Sequence, residues 1–420
     1  MVNIRKGLLQ FIFSGSYMKR WNDKLRPLEF IEADKQAHKM IVAWLLCRLN
    51  GGGTPAQNLT LELEVIERAM FDYFFRLVIT DIKPPVYYRI KADPNDYAKL
   101  SAWVLAELEP WLRPFDSGAT GFWKRLEEFV QSPDKTDLAA QILDAAHNYA
   151  SSWEFGILKG MNSFDPEVPE IEKSFQDKLA RRRNLTGMDK LLERDNGDSA
   201  ASALGGFARL CGQLRFQKRW SQTPRIPETS VMGHMFMVAC YSYFFSLAVD
   251  ACPARQVNNF FCALFHDLPE LLTRDIISPV KKSVDTLGGL IRNYENEELE
   301  RRVFKPLRAE GHNTLADRLG YYLGLEVGSE FHECAMVNGK PTRVSFEDLQ
   351  TAYNDNAFDA KDGKLIKICD NLAAFIEAYT AMRNGISSDH LHQAIWRIRS
   401  ENAKLSIGDV HVGALLADFD

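Results

Sequence analysis

Apolar residues recur at three- and four-residue spacing along most of the chain, whereas strict apolar/polar alternation is rare. That periodicity predicts helices over 34–49, 60–79, 96–109, 121–130, 137–158, 231–249, 255–272, 286–309, 313–323, 363–384 and 388–402. Stretches rich in Pro, Gly or Asn, such as 51–55 and 166–169, separate many of them. Hairpin signals of the Asn-Gly or Asp-Gly type are few, so the expected fold class is all-α. The segment 237–249 (MVACYSYFFSLAV) is strongly apolar. Nowhere do 18 apolar residues run without interruption, so it reads as a buried helix rather than a membrane span.

The same pattern is traversed twice. In the first half Arg20-Trp21 precedes Glu32, and His38 follows six residues later; then come MFDYFFRLVITDIKPPV (70–86) and ILDAAHNYA (142–150). The second half repeats the order with Arg219-Trp220, Glu228, His234, LFHDLPELLTRDIISPV (264–280) and KICDNLAAF (367–375). With one residue of slip, Asp81 and Pro85-Val86 fall on Asp275 and Pro279-Val280, and Asp144 falls on Asp370. An internal repeat of this size predicts two helical lobes, 1–165 and 206–420, that form an internal pseudo-dimer and leave further homo-oligomerisation open. Residues 166–205, charged and thinly apolar, read as the linker between them.

Length and charge narrow the partners. At roughly 150 residues per domain, 420 residues allow two or three full cores. The formal net charge of −5 removes the bulk electrostatic argument for a dedicated nucleic-acid binder, although a local anion pocket remains open. The seven cysteines form no CxxC pair and several lie in apolar runs, which is the usage of reduced thiols in a cytoplasmic protein. The apolar stretch near the amino terminus is broken by Gln10 and followed by Lys19 and Arg20, unlike a secretory signal. No membrane association is expected.

Metal-assisted hydrolysis needs several nitrogen and oxygen ligands converging on one cation that lowers the pKa of water. His266 and Asp267 are adjacent at the end of the apolar run NNFFCALFHD, and can share an ion only if other helices supply further ligands. His234 and Asp370, each a polar residue in an apolar run, are the candidates. Taken singly, His234 could be a satisfied core histidine and Asp370 could pair with Lys367.

The set His234, His266-Asp267 and Asp370 resembles the HD superfamily of metal-dependent phosphohydrolases, whose ligands are a His, a His-Asp doublet and a distal Asp on an α-helical scaffold. The longer string HDLPELLTRDIISPVK (266–281), with an Arg-Trp pair fifteen residues before His234, is similar to the 5'-deoxynucleotidase (YfbR-like) branch. That resemblance covers about residues 210–385, with an insertion expected around 325–360 between the doublet and Asp370. It implies tandem HD-like lobes and one divalent ion (Co, Mn, Mg or Zn) on the four ligands. Glu270, one turn from His266, would act with Asp267 in general acid–base chemistry. Arg219 and Lys281 would bind phosphate, Trp220 would wall the sugar, and Asp275 would accept from the 3'-hydroxyl.

The substrate implied is a (deoxy)nucleoside 5'-monophosphate. The alternatives are a nucleoside triphosphate or alarmone, for which Lys281-Lys282 is the nearby basic pair, and a non-catalytic nucleotide-sensing module. In the first half Phe71 and Phe75 fall at the positions of His266 and Glu270, so 1–165 reads as a degenerate, catalytically silent copy. His147 is a marginal substitute ligand there, one turn after Asp144.

Overall fold

A computed structural model describes residues 3–116, 118, 120–132, 135–193, 202–273 and 287–420. Helices dominate, and the only sheets among the described residues are three two-stranded antiparallel hairpins. At the centre, helix Glu32–Asn50 packs against helix Val231–Ala248. Both are buried around most of their circumference, which is why neither shows a narrow apolar stripe in sequence. Val231–Ala248 is long and apolar enough to cross a membrane, yet 94% of it is buried inside the protein.

Each central helix has its own partners. Helices Pro55–Ile79 and Leu138–Leu158 flank the first; Pro253–Phe265 and Gly363–Arg383 flank the second. Aromatic contacts tie the two groups together, with Tyr73 against Phe236 at 5.0 Å and Trp44 against Phe265 at 4.9 Å between ring centres. One apolar cluster therefore runs from Ile4 to Phe419. Within 166–205, helix Glu167–Ala180 packs on Leu138–Leu158.

Local chemistry sets the helix starts. Thr54 and Gln57 form a capping box ahead of Pro55, while Asp137 and Ser388 cap their helices through backbone N–H groups. Ser230 caps Val231–Ala248 by accepting from Gly233 N at 2.9 Å, and its hydroxyl donates to Asp34 at 2.7 Å. A Cβ on Gly233 would stand 2.6 Å from Asp34 Oδ1, so only glycine admits this approach between the halves.

Most predicted helices are present with ends shifted by a few residues. Two are interrupted. The run 255–272 stops at Phe265 and resumes as Glu270–Thr273, and the turn between them is closed by tight bonds such as Leu268 N to Phe265 O, just before Pro269, which has no N–H to give. The run 286–309 contains a π-turn at Glu300–Phe304 ahead of Pro306. Helices Lys6–Phe13, Pro84–Ala92 and Ala203–Gly212 were not expected from periodicity. The segment 325–360 carries a hairpin, Cys334–Val337 with Lys340–Arg343, whose Asn338-Gly339 turn has positive φ at both residues. It also carries helix Phe346–Thr351, and Ala335, Leu349 and Ala360 form a small cluster of their own.

Candidate metal centre

The interruption after Phe265 creates the site. It places His266 and Asp267 in a turn at the end of their helix, facing His234 on one neighbour and Asp370 on another. The two supporting helices are locked by Arg255, fully buried, whose guanidinium donates to both oxygens of Asp362 at 2.8 and 2.9 Å, immediately before the helix that carries Asp370. Such a two-pronged pair fixes orientation as well as distance.

One nitrogen of each histidine and one oxygen of Asp267 lie within 4.8 Å of one another. His234 Nε2 is 3.8 Å from Asp267 Oδ2 and 3.0 Å from Asp370 Oδ1. His266 Nε2 is 3.2 and 3.9 Å from the same two oxygens. Donor atoms about 2.0–2.2 Å from a common tetrahedral ion stand roughly 3.4 Å apart, close to the mean of these spacings. Behind the rings, His266 Nδ1 meets the Ala263 carbonyl at 2.7 Å, while His234 Nδ1 makes no hydrogen bond among the described residues and lies 3.5 Å from Glu377 Oε1. A rear hydrogen bond of the kind His266 makes orients a histidine with Nε2 forward as a ligand. His266 Nε2, buried and without a hydrogen bond, is the atom for which a cation accounts best.

The charge balance points the same way. Burial works against the imidazolium of His266, but Asp267 and Asp370 outweigh it and raise its pKa to about 9. Burial pushes Asp267 and Asp370 up; for Asp267 the neighbouring His266 and Arg219, and for Asp370 Lys367 and His234, reverse that and hold both carboxyls well below the usual range. The two carboxylates therefore stay ionised beside the histidines.

Asp370 divides its two oxygens between different partners. Oδ2 accepts from Lys367 at 2.7 Å, while Oδ1 faces the histidines. Lys367 also lies over the Phe331 ring at 4.5 Å, so the segment 325–360 reaches the rim of the site.

Arg219 spans the centre and its support. Nη1 donates to Asp267 at 3.2 Å and Nε to Glu377 at 3.3 Å. Trp220, half-buried, holds a left-handed backbone with φ of 57° and donates its indole N–H to the same Glu377 at 2.8 Å. Thr229 donates to Glu377 as well, at 2.9 Å. Glu377 therefore supports His234, Arg219 and Trp220 together. It was not anticipated, although it is an isolated acid in an apolar helix two turns after Asp370, the signal that singled out Asp370 itself. Glu270 is buried at the first position of the short helix after the doublet. Asp275 and Lys281 lie outside the described residues.

The first half contains the same hairpin. Strand Lys19–Arg20 pairs with Phe30–Ile31 as Lys218 pairs with Ser230. Trp21 has φ of 59° and donates to Glu154 at 2.9 Å, and Arg20 Nε donates to Glu154 at 2.9 Å. Counted from the two Arg-Trp pairs, the position of His234 in the second half falls on Lys35 in the first rather than on His38. Fifteen residues after Arg20 stands Lys35, whose ammonium donates to His147 Nδ1 at 2.9 Å, and His147 precedes Glu154 as Asp370 precedes Glu377. His38 instead faces Arg215 and the Ala208 carbonyl, at 3.2 and 2.9 Å. Phe71 packs against Phe122 and Phe129, and Phe75 against Tyr97.

The HD-domain family model matches residues 211–399, an interval that holds all four candidate ligands and leaves the first half outside it. This stretch is an HD-domain region of the kind found in the HD phosphohydrolase superfamily. No curated protein and no solved structure matches the chain.

Proposed function

We propose that the second half hydrolyses nucleoside 5'-monophosphates, with preference for the 2'-deoxy series, to nucleoside and inorganic phosphate. The observation that carries this reading is the Arg219 guanidinium 3.2 Å from Asp267, which sets a phosphate-gripping fork against the rim of the His-His-Asp cluster.

His234, His266, Asp267 and Asp370 hold one divalent ion, which when bound supplies Lewis acidity and a water of lowered pKa. Arg219 offers N–H groups to the phosphate oxygens and balances charge as the attacking oxygen bonds to phosphorus. Glu377 keeps that fork and the Trp220 ring in place from behind. Glu270 moves the proton: the bond from phosphorus to the nucleoside 5'-oxygen breaks, and that oxygen takes a proton to leave as a hydroxyl. Trp220, anchored through its N–H, presents an apolar surface that offers a 2'-hydroxyl nothing to bond. Asp275 and Lys281 complete the substrate contacts in this reading.

The matching hairpins support reading residues 1–165 as a degenerate copy of the same lobe, with 166–205 as the connection. The seven free cysteines, none joined in a disulfide, support a reducing, cytoplasmic setting. The test is metal-stripped protein reloaded separately with Co, Mn, Mg or Zn and assayed for phosphate release across deoxy- and ribonucleoside mono- and triphosphates. Metal-dependent release from deoxynucleoside monophosphates is expected. Turnover of triphosphates alone, or none with any metal, overturns the assignment.

A further inference from the structure

Both carboxylates of the metal centre carry a cation. Arg219 donates to Asp267 at 3.2 Å, and Lys367 donates to Asp370 at 2.7 Å. The two cations are not equally committed. Arg219 divides its guanidinium between Asp267 and the buried Glu377, so one positive charge faces two negative ones. Among the described residues Asp370 is the one hydrogen-bond acceptor of the Lys367 ammonium, which has three N–H groups to give. The rim is open here: the side chain of Lys367 is 48% exposed, and those of Asp267 and Asp370 are 19% and 15% exposed.

Lys367 is also held in place. Its ammonium lies 4.5 Å from the centre of the Phe331 ring, and that ring stands 6.0 Å from the ring of His266. Phe331 is fixed in turn. A Cβ on Gly363, one turn before Lys367, would stand 2.2 Å from the Phe331 carbonyl carbon, so segment and helix start meet backbone to backbone. The fully buried Lys361 donates to the carbonyl of the adjacent Glu330 at 3.4 Å. An ion pair three residues apart on a helix is ordinarily worth little, because both chains stay mobile. An aromatic face and a candidate ligand carboxylate confine this ammonium to the rim instead.

We propose that Lys367 is a second phosphate-binding cation of this centre, and that Phe331 is the positioning residue that holds it there. A phosphate dianion is undercompensated by an arginine already shared between two carboxylates. Lys367 adds a full charge from the Asp370 side, donates an N–H to a non-bridging oxygen and transfers no proton. The proposal rests on the phosphate-ester reading given above.

The experiment uses the full chain loaded with Mn, and measures separately the affinity for Mn, the affinity for inorganic phosphate by calorimetry, and KM for a deoxynucleoside monophosphate. Lys367→Met should weaken phosphate about tenfold or more and raise KM in parallel. Its Mn affinity should stay level or tighten, because a cation beside the ion is gone. Lys367→Arg should restore phosphate binding to within about threefold. Phe331→Leu should weaken phosphate about threefold, and Phe331→Tyr, which keeps the ring, should not. Should Lys367→Met fail to fold, Lys367→Gln carries the same expectation. Phosphate affinity within twofold of the parent in the Lys367 variant, a parallel loss of Mn and phosphate, or a parent that binds no phosphate overturns the proposal. Equal phosphate affinities beside a parent that turns over monophosphates sink Lys367 and keep the proposed function. Metal- and Lys367-dependent phosphate binding without turnover of any nucleotide does the reverse.

Discussion

The two Arg-Trp hairpins are built almost identically and serve different centres. Both tryptophans sit at φ near 60°, a costly backbone for a bulky residue, and both are held there by an indole N–H bond to a buried glutamate, 2.9 Å in the first half and 2.8 Å in the second. Both arginines give Nε to the same glutamate. The difference lies in what faces the support. His234 and Asp370 approach to 3.0 Å in one half, and Lys35 and His147 to 2.9 Å in the other. Nη1 of the arginine goes to Asp267 in the second half and to Glu32 in the first. The scaffold is thus independent of the ion. The two hairpins match closely, and the residues in front of them do not.

The sharpest way to break the comparison is to remove a ligand. Asp267→Ala should abolish bound metal and lower phosphatase turnover by about 1000-fold or more, with far-UV circular dichroism nearly unchanged because no core volume is lost. The matched change in the first half, Asp72→Ala, should leave turnover within about twofold. Metal retained at full occupancy in Asp267→Ala would remove Asp267 from the ligand set.

The first half should instead betray itself in its acid stability. Burial opposes the charge on Glu32, but Arg20, Lys35 and Arg76 overcome it and draw the pKa from an ordinary 4.5 down to about 2. A carboxyl depressed on folding stabilises above its unfolded pKa, so this contribution is complete above about pH 4.5 and is lost as the pH falls toward 2. It is worth on the order of 3 kcal/mol. Glu32→Gln should lower the urea midpoint strongly at pH 7, and the gap should narrow steadily below pH 4.5. A gap independent of pH would show that Glu32 acts by packing.

The helical architecture and the His234, His266 and Asp267 cluster are legible in the sequence because both rest on spacing. Periodicity marks long amphipathic or buried helices, and the His-Asp doublet at the end of an apolar run marks a place where polarity has to be repaid. Short elements such as Lys6–Phe13 and Pro84–Ala92 span too few turns to declare a period. Residue type alone pairs His38 with His234, whereas distance from the Arg-Trp pair points to Lys35. Glu154 and Glu377 went unremarked because a supporting residue touches neither metal nor substrate. Its role is visible only when Arg, Trp and the centre converge on it.

That supporting role gives the next prediction. Glu377→Gln keeps the shape but loses the charge that faces His234 Nδ1 and Arg219, so metal affinity should fall about 10- to 100-fold. KM should rise as Arg219 loses its anchor. Glu154→Gln should leave metal affinity unchanged and lower the melting temperature, because Arg20 and the fully buried Arg215 lose their carboxylate. Equal metal affinities in the two variants would break the distinction between the halves.

The smallest effect expected is also the most specific. Trp220 can discriminate the sugar only if its ring, rather than its bulk in the core, meets the nucleotide. It packs against Ala378, Ala381 and Leu391, with Arg225 over one face at 5.5 Å. A 2'-hydroxyl placed against an indole surface and denied a partner costs about 1 kcal/mol at the low end, or roughly fivefold in kcat/KM. Trp220→Ala admits water to that hydroxyl, so the ratio of kcat/KM for deoxy over ribo monophosphates should fall by about that factor toward one, even as overall activity drops. Trp21→Ala removes the matching ring, which packs on Phe155 and Phe175, and should cost stability while leaving the ratio untouched. Arg219→Ala weakens both sugars alike, since it contacts phosphate. A ratio that survives Trp220→Ala would make the two tryptophans equivalent structural rings, and the deoxy preference would have to come from elsewhere in the pocket.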